Sequence, residues 1–302
     1  MKAAIAAMLS LPLLASAQVA EPQAEELMQL AFPKWSDEEG GRVVSIPTSA
    51  LTRGWDTRQG KQRKVAVVPR QVVRVAPERL LLLAAMTPVG DSGDPQVSHG
   101  TPIGLAAYTF KPGKDGWAVA RRQEPFDLQG FEGRAEVDVV PLAPASQAAH
   151  VRWGSCWQGH CVEVFALYAL AADGVKPQPL VLQKIKGSNV YARPDCVERL
   201  RGLMPGLAAP DGAGEQVAPG KCYAIEGRWE IAGAGAGAAT GTSTGTSAAA
   251  TPGALTLHFT GALSGASKQA NEAAQRIDQS MKFEFRGGRY VPVSGSNPVP
   301  DA

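Results

Sequence analysis

The stretch Trp153-Gly154-Ser155-Cys156-Trp157-Gln158-Gly159-His160-Cys161 constrains this chain more than any other. It carries two of the four cysteines, two of the six tryptophans and one of the four histidines, and the apolar run 162–170 follows it. Alternating residues on both sides of a Gly-containing tip, with one cysteine on each arm, read as an antiparallel hairpin locked by a disulfide. Setting Cys156 opposite Cys161 leaves Trp157 to His160 as a four-residue tip and fixes the register. Ser155 then faces Val162, Trp153 faces Val164 and Val151 faces Ala166. One face bears Val151, Trp153, Val162, Val164, Ala166 and Tyr168. The other bears Arg152, Glu163, Phe165 and Leu167, with Arg152 and Glu163 on a diagonal that suits a salt bridge. Both faces are substantially apolar, so the hairpin is expected at the centre of a sheet. Trp157, Gln158 and His160 are its candidate contact residues, with two readings open for Trp157: packing over the disulfide, or exposure to stack on a sugar or grip a peptide.

The start of the chain sets its address. Lys2, the apolar run 3–14 and the box Ala15-Ser16-Ala17 make a secretory signal with cleavage after Ala17. That run is too short to anchor in a bilayer, and no later stretch reaches the roughly 18 apolar residues of a spanning helix. The expected location is the periplasm or the medium, and the missing Asn-x-Ser/Thr sequon fits a bacterial source. In such a compartment four cysteines pair. Sequence proximity favours Cys156–Cys161 and Cys196–Cys222 among the three connectivities. Net charge is 30 − 28 = +2, or +1 once Lys2 is removed, so nothing global steers the protein to nucleic acid. A local basic excess over 53–79 reads as a solvated, edge-protecting face, with a patch for anionic polymer or lipid head groups as its alternative.

Along the chain, residues 21–32 predict the one helix, with Leu27, Leu30 and Ala31 on its packing face and Pro33 as its stop. Beyond Gly40-Gly41 the pattern is short strands between turn signals, over 42–46, 64–75, 80–86, 103–110, 117–123, 134–140, 150–155, 161–170, 180–186, 223–231, 255–260, 281–285 and 289–293. Pro69 should bulge or divide the second of these. Three strand–strand–turn–strand units recur, which fits antiparallel meanders in a β-sandwich or open barrel, or an incomplete β-propeller. The turn Gly287-Gly288 pairs Arg286 with Arg289, Phe285 with Tyr290 and Phe283 with Pro292, and Pro292 places that strand at an edge. The Ala/Gly/Thr/Ser tract at about 232–253 is too poor in apolar surface to order itself. It reads as an insertion between core strands, and 18–302 as a single domain.

Sharper chemistry finds little support. Gly90-Asp91-Ser92-Gly93 is similar to the nucleophile loop of trypsin-like proteases, but Asp94 and Pro95 follow it and every histidine (His99, His150, His160, His258) comes after Ser92. His99 could reach Ser92, with no further triad member visible, so 87–102 reads as a polar surface loop. Cys156, His160 and Cys161 lack the second ligand pair a zinc site wants, and no metal or cofactor is expected. Glu124, Asp127, Glu132, Glu136, Asp138 and Glu163 are scattered, and Glu136 and Asp138 alternate with Ala135, Val137 and Val139 as the wet face of a half-buried strand does.

The run from Trp153 to Cys161, the pattern His99-Gly100 to Trp117 and the closing Gly287-Gly288-Arg289-Tyr290-Val291-Pro292-Val293 resemble exported proteobacterial β-rich proteins with no named functional family. The resemblance runs from about Val67 to the C-terminus and implies an exported, cysteine-clamped β-protein; it brings no site residues. The expectation is therefore a non-catalytic binding or structural protein of the cell envelope, with polysaccharide, peptide or protein as partner. The alternatives are a hydrolase of an envelope polymer and a secreted inhibitor of a hydrolase presenting the loop 87–102.

Overall fold

The computed structural model describes residues 22–38, 41–52, 55, 61–90, 92–193, 195–207, 221–233, 251–265 and 274–300. Residues 1–17, where a signal sequence is expected, and residues 234–250 of the Ala/Gly/Thr/Ser tract lie outside them. The fold is all-β and antiparallel. Strands β1 (Val43–Pro47), β2 (Gln62–Ala76), β3 (Arg79–Pro88), β4 (Ile103–Gly113) and β5 (Gly116–Gln129) form one meander in sequential order. A second sheet runs β14-β13-β12-β11-β10-β8-β7-β6, from β6 (Glu136–Ala143), β7 (Ser146–Trp157), β8 (His160–Ala171), β10 (Val181–Ser188), β11 (Cys222–Ile231), β12 (Leu255–Ser264) and β13 (Gln275–Arg286) to β14 (Arg289–Ser294), with the two-residue β9 (Gly174–Val175) beside β8. One unbroken order of eight strands, packed on the five-stranded meander, makes a sandwich with one curled wing and not a set of separate four-stranded propeller blades.

Layering follows from the apolar alternation. In β3, Leu80 and Leu82 point to one core while Leu81, Leu83 and Ala85 point to the other, so both faces of the strand are dry. The odd positions of β3 and β4 pack on Val151, Trp153, Ala166 and Tyr168 of β7 and β8, which joins the two sheets. The even positions are covered by α1 (Ala24–Ala31) through Leu27, Met28 and Ala31, and by Trp35. Leu27 and Met28, both fully buried, each contribute about 1.5–3 kcal/mol by leaving water. The sequence pattern misjudged the edge of this helical stripe: Leu30 is 44% exposed and Met28 takes its place. Residues 24, 27, 28 and 31 lie closer to one face than a set that includes 30. The N-terminal turn is closed by the Gln23 amide, which donates to the Glu26 carboxylate at 2.9 Å.

The far wing of the second sheet curls until the Tyr290 amide of β14 donates to the Leu180 carbonyl at 2.9 Å, at the start of β10. Phe165, Leu167, Ile225, Leu257, Phe259 and Phe283 fill its concave side. Val299 lies in this core, and Asn297 donates to the Lys184 carbonyl at 2.8 Å, so the C-terminal segment seals the gap between β14 and β10. The Gly287-Gly288 hairpin has the expected pairs Arg286–Arg289, Phe285–Tyr290 and Phe283–Pro292, and β14 ends its sheet. Pro69 bulges β2 without dividing it: the register shifts between Pro69 and Gln71 and pairing with β3 resumes. Within the basic stretch, β1 pairs with β2 only over Gln62–Ala66, and Arg70 and Arg74 stand exposed farther along β2. Helix α2 (Asp195–Leu200), which no periodicity announced, is short and is tied to β11 by the Cys196–Cys222 disulfide.

Candidate functional site

The hairpin β7–β8 has the register its sequence dictates. Ser155 faces Val162, Trp153 faces Val164, Val151 faces Ala166 and Cys156 faces Cys161, with the last pair bridged. Arg152 reaches Glu163 at 3.5 Å and also holds Glu136, whose carboxylate accepts from the guanidinium and keeps it above its ordinary pKa. The tip is tighter than the expected four residues. Pairing continues through Trp157 and His160, which leaves Gln158 (φ 47°) and Gly159 (φ 80°) as a two-residue loop. Positive φ at both positions is the type I′ geometry, whose twist matches the flanking strands. Once the disulfide is set at a narrow pair, the strand twist rewards this shorter loop.

Trp157, Gln158 and His160 are all exposed at this tip. Trp157 is 56% exposed, and its ring lies 4.2 Å from the imidazole of His99, tilted by 34°. Trp157 therefore packs on a histidine from another loop and still presents an open face. Beside the tip, the backbone of Tyr191 and Ala192 lies against Gly159, and Tyr191 is likewise 56% exposed.

His99 belongs to the loop 87–102, which does not stand clear of the body. Its Nε2 lies 3.1 Å from Ser155 Oγ, and its Nδ1 lies 3.0 Å from Glu132 Oε1. Both ring nitrogens are thus engaged, which leaves His99 nothing to offer Ser92. Ser92 sits exposed in a turn closed by Gly93 N–H to Gly90 O at 3.1 Å. Glu132 is held in the left-handed region at φ 53°, between Gly130 (φ 89°) and Gly133 (φ 64°). The Gly133 amide donates to the Thr101 carbonyl at 2.9 Å and so ties the two loops together. Phe131, at 6.3 Å from His99, packs into the inter-sheet core. An L-residue at positive φ costs of order 1 kcal/mol or more and persists only where the surroundings over-determine it.

The other carboxylates are dispersed among structural partners. Asp127 accepts from Tyr168, Glu124 pairs with Arg122, and Glu136 and Glu163 share Arg152. Glu136 and Asp138 are exposed and Val137 between them is buried, as their alternation implied. Among the described residues, one set of potential metal ligands converges, Asp195 with Cys196 and Cys222. Both of its sulfurs are spent in the disulfide. The convergence of His99, Glu132 and Ser155 escaped sequence reasoning because 33 and 56 residues separate the contacts. Two signals bore on it: Ser155 shares the inward face of Trp153, and Gly130-x-x-Gly133 marks a tight turn.

Two disulfides place the chain in an oxidising, extracytoplasmic setting. Among the described residues no helix is long and apolar enough to cross a membrane. No protein-family model, curated protein or solved structure matches the chain significantly.

Proposed function

We propose that this chain is an exported β-protein of the bacterial cell envelope that binds envelope polysaccharide at the disulfide-locked tip. The observation that carries the reading is the open face of Trp157, whose backbone is fixed by a bridged strand pair and a two-residue turn. A rigid aromatic plane beside amide and imidazole groups is what a sugar ring needs: its apolar C–H face stacks on the indole while its hydroxyls bond to Gln158 and His160. Pre-organisation by the disulfide reduces the ordering cost of binding. The signal sequence over 1–17 and the two disulfides support export, and a formal charge of +2 favours no polyanion over a neutral glycan.

Retention of the purified protein on insoluble peptidoglycan and on immobilised lipopolysaccharide tests the reading. Trp157→Ala is expected to lower retention about tenfold, the equivalent of about 1.4 kcal/mol, with a thermal midpoint close to the parent's. Retention that is unchanged in Trp157→Ala removes the tip as the site. Retention on neither glycan, with capture of a peptide or protein instead, replaces the ligand class.

A further inference from the structure

We propose that Ser155, His99 and Glu132 form a nucleophile–base–carboxylate relay for acyl transfer to water, with an ester or amide carbonyl as the substrate class. The contacts have the required polarity: the hydroxyl sits on Nε2 at 3.1 Å and the carboxylate on Nδ1 at 3.0 Å. A carboxylate that accepts the Nδ1 proton fixes the tautomer whose Nε2 lone pair faces the serine. The relay is built from three separate segments and is supported on each side. Trp157 covers one face of the imidazole, Thr101 ties its loop to the Glu132 turn, and the Glu132 backbone is held at φ 53°. Strain of that kind concentrates where geometry matters for function.

A second Ser–His–Glu row shows what a merely structural one looks like. Ser280 Oγ lies 2.9 Å from His258 Nδ1, and His258 Nε2 lies 3.1 Å from Glu230 Oε1. These residues sit on the neighbouring strands β13, β12 and β11, so ordinary strand pairing brings them together. The ring is reversed relative to the first row, and Glu230 has its side chain 69% exposed.

The chemistry balances with water as the only co-reactant. The Ser155 hydroxyl passes its proton to His99 Nε2 as Oγ bonds to the carbonyl carbon. The carbonyl–leaving-group bond then breaks, and the leaving oxygen or nitrogen takes that proton from His99. Water, deprotonated by the same nitrogen, cleaves the acyl-serine, releases the carboxylic acid and returns the proton to Oγ. The oxyanion donor is the Cys156 amide. Cys156 and Cys161 have their Cα atoms 4.0 Å apart, the spacing of a non-hydrogen-bonded pair, which turns that N–H away from β8. The pairing of β6 with β7 stops at Arg152, so β6 takes no strand hydrogen bonds from β7 beyond it. Ser155 is the nucleophile, His99 the base and Glu132 a positioning residue.

The test is covalent labelling of the folded, oxidised full chain by a fluorophosphonate, with the modified serine mapped by mass spectrometry. Oγ displaces fluoride from phosphorus and its proton goes to His99. Label is expected on Ser155 and absent from Ser155→Ala. The rate should fall about a hundredfold in His99→Gln and about tenfold in Glu132→Gln, and stay unchanged in Ser280→Ala. The labelling rate of the parent chain should rise with pH, a readout that needs no variant, and Glu132→Gln should change the shape of that pH profile. No label on Ser155, label on Ser280 at an equal rate, or a flat pH profile overturns the relay. Loss of label in Trp157→Ala with glycan retention intact would leave the relay standing and remove the tip reading, so the two proposals fail separately.

Discussion

Gly159 lies directly against Ala192: a Cβ built on Gly159 would sit 2.0 Å from the Ala192 nitrogen. The hairpin tip is thus wedged on the segment before α2, and backbone on backbone leaves nothing flexible to yield. Gly159→Ala also meets the cost of its φ of 80°. The variant is expected to lose roughly 2–3 kcal/mol, from strain plus displacement of the tip. Gly93→Ala is the comparison, because Gly93 has φ 95° and nothing within 4 Å of the added Cβ; it should lose only about 1 kcal/mol. Urea melts of both variants check this, and equal losses would mean the tip does not bear on Ala192.

The two disulfides close loops of different length, with sequence separations of 5 and 26. In the chain-entropy model the first contributes about 2 kcal/mol and the second about 3.5 kcal/mol. Cys196→Ser/Cys222→Ser should therefore destabilise more than Cys156→Ser/Cys161→Ser. The sulfurs of the longer bridge are also buried with Val197 and Leu200, so its loss opens a packed cluster. Denaturant midpoints in the reverse order would refute this ranking.

The register of β7–β8 was legible because three local constraints agree: a period of two, a pair of cysteines and a glycine at the tip. The same holds at Phe283–Pro292, where Gly287-Gly288 leaves one pairing. The meander architecture followed from turn spacing alone. The packing of 87–102 onto the hairpin was not legible. No local pattern says which distant loop a strand end will meet, and His99 had an obvious but unused neighbour in Ser92. Leu30 misled because helical spacing alone does not say where a packing stripe is centred.

Tyr168 is fully buried and its hydroxyl donates to Asp127 Oδ2 at 2.6 Å. Burial and the adjacent carboxylate push that hydroxyl far above its ordinary pKa, so it remains a donor. Tyr290, which burial raises to about 12, donates instead to the Gly253 carbonyl at 3.1 Å. A bond to a charged acceptor is worth about 1.5–3 kcal/mol against about 1 kcal/mol for a neutral one. Tyr168→Phe should thus cost more stability than Tyr290→Phe in paired thermal melts. Equal costs would show that Asp127 finds another donor once the hydroxyl is gone.

His150 gives the fold a pH dependence of predictable sign. It is 9% exposed, lies 4.9 Å from the Trp229 ring and 5.9 Å from Phe165, and its Nε2 has no hydrogen-bond partner among the described residues. Burial lowers its pKa; Asp138 and Glu136 pull it upward more weakly, and Arg152 adds to the depression. The folded state therefore resists a proton that the unfolded chain accepts near the ordinary value of about 6.5. Stability is full above that pH and falls as the solution is acidified through it, down to the lowered folded value, by at most about 1.4 kcal/mol per pH unit. His150→Phe keeps a ring between Trp229 and Phe165 and removes the titration. Its unfolding free energy should match or exceed the parent's at pH 7.5, and its loss between pH 7 and pH 5 should be shallower. A variant whose stability falls as steeply as the parent's over that interval would show that His150 does not set the slope.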